Sequence, residues 1–473
     1  MMDTVAVPLC MHSLLLPFAA CFTKPGYQNF VTLSLGWIAC QGRHSISRII
    51  QAAADSQGNH ARLYRFLSHG RWCCDAVAHV VFQILLRLLP GNIVAIVDDT
   101  LCKKSGPHIF GAAMHHDACS SSYAKRSSAA PKVFAFGHNW VVVAIWIPLP
   151  WNLDRGVAIP VLFRLYRSKK RCPQKEYRKR TELAEQLLGK LVDWLPPDRT
   201  LTVTGDSEYA CRTLLRHPQL RFHFVGPMSM NAALYDSPVQ SAGRGRKRLK
   251  GARLPSPEKL AIHAAIPWTQ LLVTIYGKPT SILVKSQCCL WYTVTGTKPI
   301  RMVLTRDPKG RIDERAYFCT DPDMPIDRIL RIFARRWEIE VAFRNTKQFM
   351  GLEDPQNGWW RRDAKQPAPA KKPGPNAHPT KGHQAIIHTF SMAMTAYAIT
   401  ILWYLSHGDR QKDVQRVLAE APWYRQKQTP SFMDMIASFR RRLWSHRFSS
   451  TPTPTRGQQN LSDLIPHWLL AAA

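Results

Sequence analysis

The sequence predicts an α/β protein: a mixed sheet flanked by helices, with a β-rich insertion and an N-terminal helical domain. Three observations lead there. The first ninety residues repeat apolar positions at helical spacing and end at Pro90-Gly91. Ile93-Val-Ala-Ile-Val97 then opens a series of short apolar runs alternating with helical segments, and the stretch from 229 to 317 reverts to short strands around a basic, glycine-punctuated loop.

In chain order, 27–40 and 45–54 read as helices separated by the Gln41-Gly42-Arg43-His44 turn, followed by helices at 63–67 and 74–89. On so basic a chain, a helical domain over 1–90 is expected to bind DNA, with a plain scaffold as the alternative. Residues 93–97 form a continuous apolar run, the pattern of a strand buried on both faces, and it ends in Asp98-Asp99-Thr100. Strands are expected at 140–147, 158–165, 201–204 and 222–225, and helices at 176–195 and 210–215, completing a first core segment over 91–228. Within the insertion, 229–317, strands are read at 271–276, 281–285, 290–294 and 301–304, after the basic loop 241–253. Core residues return over 318–409: a helix starting near Pro325, a proline-rich loop at 363–382, and an apolar helix at 385–405. The remainder, 410–473, is basic and partly helical, with a break at 451–455.

Charge narrows the function. Against 64 Lys+Arg stand 32 Asp+Glu, a net +32, which implies a polyanionic partner, most simply nucleic acid. No amphipathic basic helix suits a membrane surface, and the uncharged run 385–405 contains His388, Thr389, Ser391 and Thr395, as a core helix would. The apolar start, 5–22, lacks a positive n-region and reads as a buried segment rather than a signal peptide. Twelve cysteines without a Cys-x-x-Cys argue against a zinc ribbon or a disulfide framework and for free thiols in the cytoplasm.

Three acids stand out by position. Asp98 ends the first buried strand, Asp206 follows the 201–204 strand, and Glu340 lies on the helix after the insertion. At about 100° per residue, Phe333, Arg336, Glu340 and Lys347 share an arc of about 60° on that helix. The same residues would also suit a core helix whose Glu340 pairs with Arg336 or Arg344. Carboxylates are the ligands Mg²⁺ prefers, and three of them can hold two ions for in-line phosphoryl transfer, with Mn²⁺ as a substitute. Asp99 competes with Asp98 for the first position. Glu338 lies about 160° round the helix from Glu340, so both cannot face one site. Lys103, Lys104, Arg336, Arg344 and Lys347 are the candidate contacts to DNA phosphates, whereas His138 reads as a structural histidine.

Asp98-Asp99-Thr100, Gly205-Asp206-Ser207-Glu-Tyr-Ala210 and Arg336-Trp-Glu-Ile-Glu340 with Lys347 resemble the DDE motifs of cut-and-paste transposases of the IS4 superfamily, in particular the IS701-like group. The resemblance also takes in Phe22-Thr-Lys-Pro-Gly-Tyr-Gln-Asn29, Gly42-Arg43, Phe136-Gly-His-Asn-Trp140, Trp194-Leu-Pro196 and Cys319-Thr-Asp321. It implies an RNase H-like core interrupted by a β-rich insertion, with Asp98, Asp206 and Glu340 as the metal ligands. The implied substrates are terminal inverted repeats and target DNA, held by two protomers. Where that family's helix signature has tyrosine, this chain has Phe333. In related transposases a tryptophan of the insertion stacks on a flipped base; Trp268 and Trp291 are available, as are Trp359-Trp360 beyond the helix. The alternatives are a DDE-type nuclease and a domesticated, transposase-derived DNA-binding protein without strand transfer.

Overall fold

The computed structural model describes residues 7–53, 60–105, 109–117, 133–217, 221–238, 247–264, 266–310, 313–355 and 379–449. The chain divides into two compact units, Met1–Phe82, Cys102–His138 and Phe343–Ala473 forming one, and Gln83–Leu101 with Asn139–Ala342 the other.

The first unit is mainly helical. Thr23 caps the Lys24–Ala39 helix by accepting the Gly26 amide, with Pro25 in the first turn where no intrahelical amide is needed. Nine residues of that helix are buried, which makes it a core element. The Pro379–His407 helix packs on it, on Ala61–Ser68 and on Phe432–Ser449. This is the expected apolar helix, begun six residues before 385, inside the segment read as a loop. Its Gly382–His407 portion is long and apolar enough to cross a membrane, but 94% of its most apolar window is buried, as in the central helix of a bundle. Most of 363–382, the Trp359-Trp360 pair and the 451–455 break lie outside the described residues. A four-residue strand, β2 (Ala113–His116), pairs with the start of β3 (Phe134–Leu149) and has no apolar run to announce it.

His138 shows what burial does in this unit. Its Nε2 donates to the Phe110 carbonyl at 2.8 Å, and burial, with the Lys104 charge adding, holds its pKa down to about 3. Folded His138 stays neutral while the unfolded ring takes a proton below its ordinary 6.5. Stability is therefore expected to fall by about 1.4 kcal/mol per pH unit from this one group as pH drops from 6.5 towards 3, with His44 and His388 acting in the same sense. Urea unfolding of wild type and His138→Gln at pH 7 and pH 5 measures it. Equal losses in the two proteins would remove His138 from the account.

The second unit is built on a mixed sheet. Its strands are β1 (Ile93–Lys103), β3, β4 (Asn152–Tyr166), β5 (Leu201–Gly205), β6 (His223–Met228), β7 (Thr269–Ile275), β8 (Lys278–Leu290), β9 (Pro299–Arg306) and β10 (Arg315–Cys319). From β3 the order is β3-β1-β5-β6-β10-β9-β8-β7, and β4 also pairs with β3. β1, β5 and β6 are parallel neighbours, whereas β6, β10, β9, β8 and β7 are successively antiparallel. The insertion strands thus extend the core sheet through β10. The first six residues of β1 are buried, as the apolar run predicted. Helix Arg180–Trp194 packs on β4, and Ile326–Arg335 packs on β5, β6 and β7. This is the expected mixed sheet flanked by helices. One element differs: 290–294 was expected as a strand, but β8 runs on to Leu290 and Tyr292–Thr295 is a helical turn.

Candidate active site

Parallel pairing of β1 with β5 ends at Val97 opposite Gly205, and the next residue on each is an aspartate, so Asp98 and Asp206 follow matched positions on neighbouring strands. Glycine permits this approach. A methyl at Gly205 would meet Val97 Cγ1 at 2.8 Å and Tyr209 Cβ at 3.2 Å. Gly205→Ala is therefore expected to lose about 1–3 kcal/mol through overpacking. The urea midpoint reads it, and an unchanged midpoint would mean that the strands part without cost.

The third acid arrives on a helix. Ile326–Arg335 and Trp337–Phe349 meet at Arg336, where the amide donates to the Phe333 carbonyl at 3.1 Å and the carbonyl accepts from the Ile339 amide at 3.2 Å. These bonds span three residues and tighten the turn without ending the helical path. Arg336 Nη2 donates to Glu340 Oε1 at 2.8 Å, the pairing expected within one helix, and Nη1 donates to Asp98 Oδ2 at 3.0 Å. Two acids 242 positions apart in sequence thus converge on one guanidinium.

Electrostatics sharpen the arrangement. Asp98 is only 9% exposed, and burial pushes its carboxyl up to about 8, with Arg336 opposing and Asp206 and Asp99 adding to the rise. Burial raises Asp206 as well, opposed by the Glu208 amide, which donates to Oδ1 at 2.9 Å. Carboxylates crowded where water screens them poorly call for a cation, and hard oxygen donors suit Mg²⁺. Among the described residues, no three His, Cys, Asp or Glu side chains are grouped to hold a metal ion. The donor chemistry fits such an ion, and the guanidinium that joins Asp98 to Glu340 would have to give way to it.

A second arginine does the same for the acids left over. Arg180, at the start of its helix, donates through Nη1 to Asp99 Oδ2 at 3.2 Å and pairs through Nη2 with Glu208 Oε2 at 2.7 Å. Asn139 Nδ2 donates to the same Asp99 oxygen at 2.7 Å. The two aspartates are adjacent in β1, where alternate side chains face opposite ways, and they serve different arginines. Arg180 was missed in the sequence because nothing in its spacing links it to either partner.

The remaining expected contacts belong to the first unit. Lys103 Nζ pairs with Asp117 at 2.9 Å, and Lys347 Nζ lies 3.8 Å from Glu353. Arg344 reaches Asn345 Oδ1 at 3.5 Å. Lys104 is committed elsewhere: its ammonium donates to the carbonyls of Leu352, Glu353 and Pro355, so it fastens that turn. In the second unit, Trp291 is buried edge-on against Phe318, as a core residue, whereas Trp268 is half-buried against the charges of Lys285 and Arg306.

No curated protein matches the chain. A family model, the DDE superfamily endonuclease, matches residues 17–279, which takes in Asp98 and Asp206 and stops before Glu340. With the paired aspartates on a mixed sheet and more than half of the 473 residues inside that match, the chain belongs to the DDE superfamily endonucleases.

Proposed function

We propose that the protein is a cut-and-paste DNA transposase of the IS4 superfamily, IS701-like group, which binds the terminal inverted repeats of its element, cleaves at the ends and joins the 3′-hydroxyls to target DNA. The observation that carries this reading is the convergence of Asp98 and Glu340 on one guanidinium, with Asp206 beside Asp98 on the neighbouring strand. In this reading Asp98, Asp206 and Glu340 hold two Mg²⁺ ions, for which Mn²⁺ substitutes. The ions supply activation of the attacking water or 3′-hydroxyl and stabilisation of the leaving oxygen. Arg336 moves from the acids to a phosphate of the cut strand. Arg344, Lys347 and Lys103 are further candidate contacts to DNA phosphates, in keeping with the net charge of +32. Pairing of two ends requires a second protomer, so a homodimer on DNA is expected.

The test incubates the purified protein with labelled duplexes copied from the DNA flanking its reading frame, in Mg²⁺ or Mn²⁺. Cut ends followed by joined products support the proposal. Cutting without joining indicates a DDE nuclease, and salt-sensitive binding without cutting indicates a DNA-binding protein that has lost catalysis.

A further inference from the structure

Among the described residues, Tyr276 is the only non-glycine residue with positive φ, at +53°. With Gly277, at +72°, it forms the two-residue loop between β7 and β8, since Ile275 and Lys278 are the last paired positions. Such loops favour asparagine or glycine at both positions, because a side chain in the left-handed region crowds its own backbone. The strain gains nothing in the core, for Tyr276 is 57% exposed.

What holds the ring is its setting. β7 packs on the Ile326–Arg335 helix, which leads straight into Arg336. The tip itself is seated on the stem of Arg155, as a methyl on Gly277 would lie 2.8 Å from that Cγ. Arg336, Glu340 and Glu338 are near enough for their charges to act on the phenol, which partial burial raises above its ordinary pKa. Its hydroxyl has no hydrogen-bond partner among the described residues. The other aromatic groups at this end of the helix offer none to a ligand. Phe333 lacks a hydroxyl, and Tyr317, packed on Phe333 at 4.6 Å between centroids, bonds to Arg315 and Thr305.

We propose that Tyr276 is a DNA-binding residue of the candidate active site: the strained tip of the β7–β8 hairpin, whose first strand packs on the helix leading into Arg336, presents its exposed hydroxyl to donate to a backbone phosphate of the strand being cut. The proposal rests on the DNA-cleaving function proposed above. A neutral phenol adds a directed bond to the cation of Arg336 without adding charge, so it orients the phosphate more than it attracts it. Strain of this kind persists where surrounding structure enforces it, often where a ligand is gripped.

Tyr276→Phe removes only the hydroxyl, and Tyr276→Asn removes the ring and relieves the backbone. The experiment measures thermal melting of each protein, fluorescence-anisotropy binding of a labelled duplex from the flanking DNA, and single-turnover cleavage in Mn²⁺. Tyr276→Phe is expected to melt with wild type and to bind and cut about tenfold or more less well, the loss of one bond to a charged group. The salt dependence of binding should keep the wild-type slope, because no counterion is released by a phenol. Tyr276→Asn is expected to melt about 2–4 °C higher and to show at least the same functional loss. Wild-type behaviour of Tyr276→Phe overturns the proposal; if Tyr276→Asn alone is impaired, the ring stacks on a base instead. A wild-type protein that neither binds nor cuts any of these duplexes removes the DNA-cleaving reading itself, and this proposal with it.

Discussion

Asp98→Asn is expected to lower metal-dependent DNA cleavage about a thousandfold, the effect of losing several kcal/mol of charge stabilisation at the reacting phosphate, while the protein folds as before. The second half of that expectation follows from burial. With its carboxyl pushed up to about 8, Asp98 is largely protonated at neutral pH in the metal-free protein, and asparagine has the shape and charge of that protonated form. Asp206→Asn and Glu340→Gln should match it. Asp99→Asn is the informative control, since Asp99 is bound to Arg180 and Asn139 rather than to Arg336. Its loss is expected to be about tenfold, the usual scale for residues that support ligands from behind. Cleavage that survives Asp98→Asn but not Asp99→Asn would exchange their roles.

The next largest effect is expected at Arg336, and it has opposite signs in two measurements. Arg336→Met leaves Asp98 buried without its cation, which would cost about 3–5 kcal/mol if the charge persisted. The carboxyl is already largely protonated in the metal-free protein, so the loss there should be nearer about 1–2 kcal/mol, with the partly exposed i,i+4 pair to Glu340 adding little. Metal binding should improve. A dication entering the wild-type cluster must displace or face a guanidinium, and at about 4 Å that repulsion is worth several kcal/mol even at an effective dielectric of about 20. Titration calorimetry with Mn²⁺ is therefore expected to show at least about tenfold tighter binding by Arg336→Met, whereas cleavage falls for want of the phosphate contact. Tighter binding with weaker chemistry is not the pattern of simple misfolding. Equal Mn²⁺ affinity in the two proteins would mean that the arginine does not stand in the ion's place.

Much of the sheet and of the acid constellation was legible in the sequence because both depend on local pattern. Residues 93–97 had to be a strand buried on both faces, and acids immediately after buried runs are conspicuous. The edges were less legible. In β8 the polar pair Ser286-Gln287 interrupts the apolar pattern, yet the strand continues because its backbone is paired to β9 through Leu290, and pairing leaves no periodic mark. β2 has only four residues and no apolar run. At the site, the helical spacing of Arg336 and Glu340 foretold their pairing, but nothing foretold that the same guanidinium would reach Asp98. Arg180 and Tyr276 were invisible for related reasons: one depends on partners remote in sequence, and the other on a backbone angle.

The helical unit has a consequence for synthesis. Its Ala61–Ser68 helix finds its main packing partner in Pro379–His407, and Lys24–Ala39, which packs first on the adjacent Ile46–Ala53 helix, finds its second there, so segments made early wait for one made much later. Until then the part of Lys24–Ala39 that meets Pro379–His407 stays open to whatever is nearby, and until Met350 is made the Trp37 indole lacks the carbonyl to which it donates. Chaperone capture and aggregation both feed on such an interval. A gene interrupted before residue 379 would therefore yield a sticky, unfinished fragment in place of a smaller working protein.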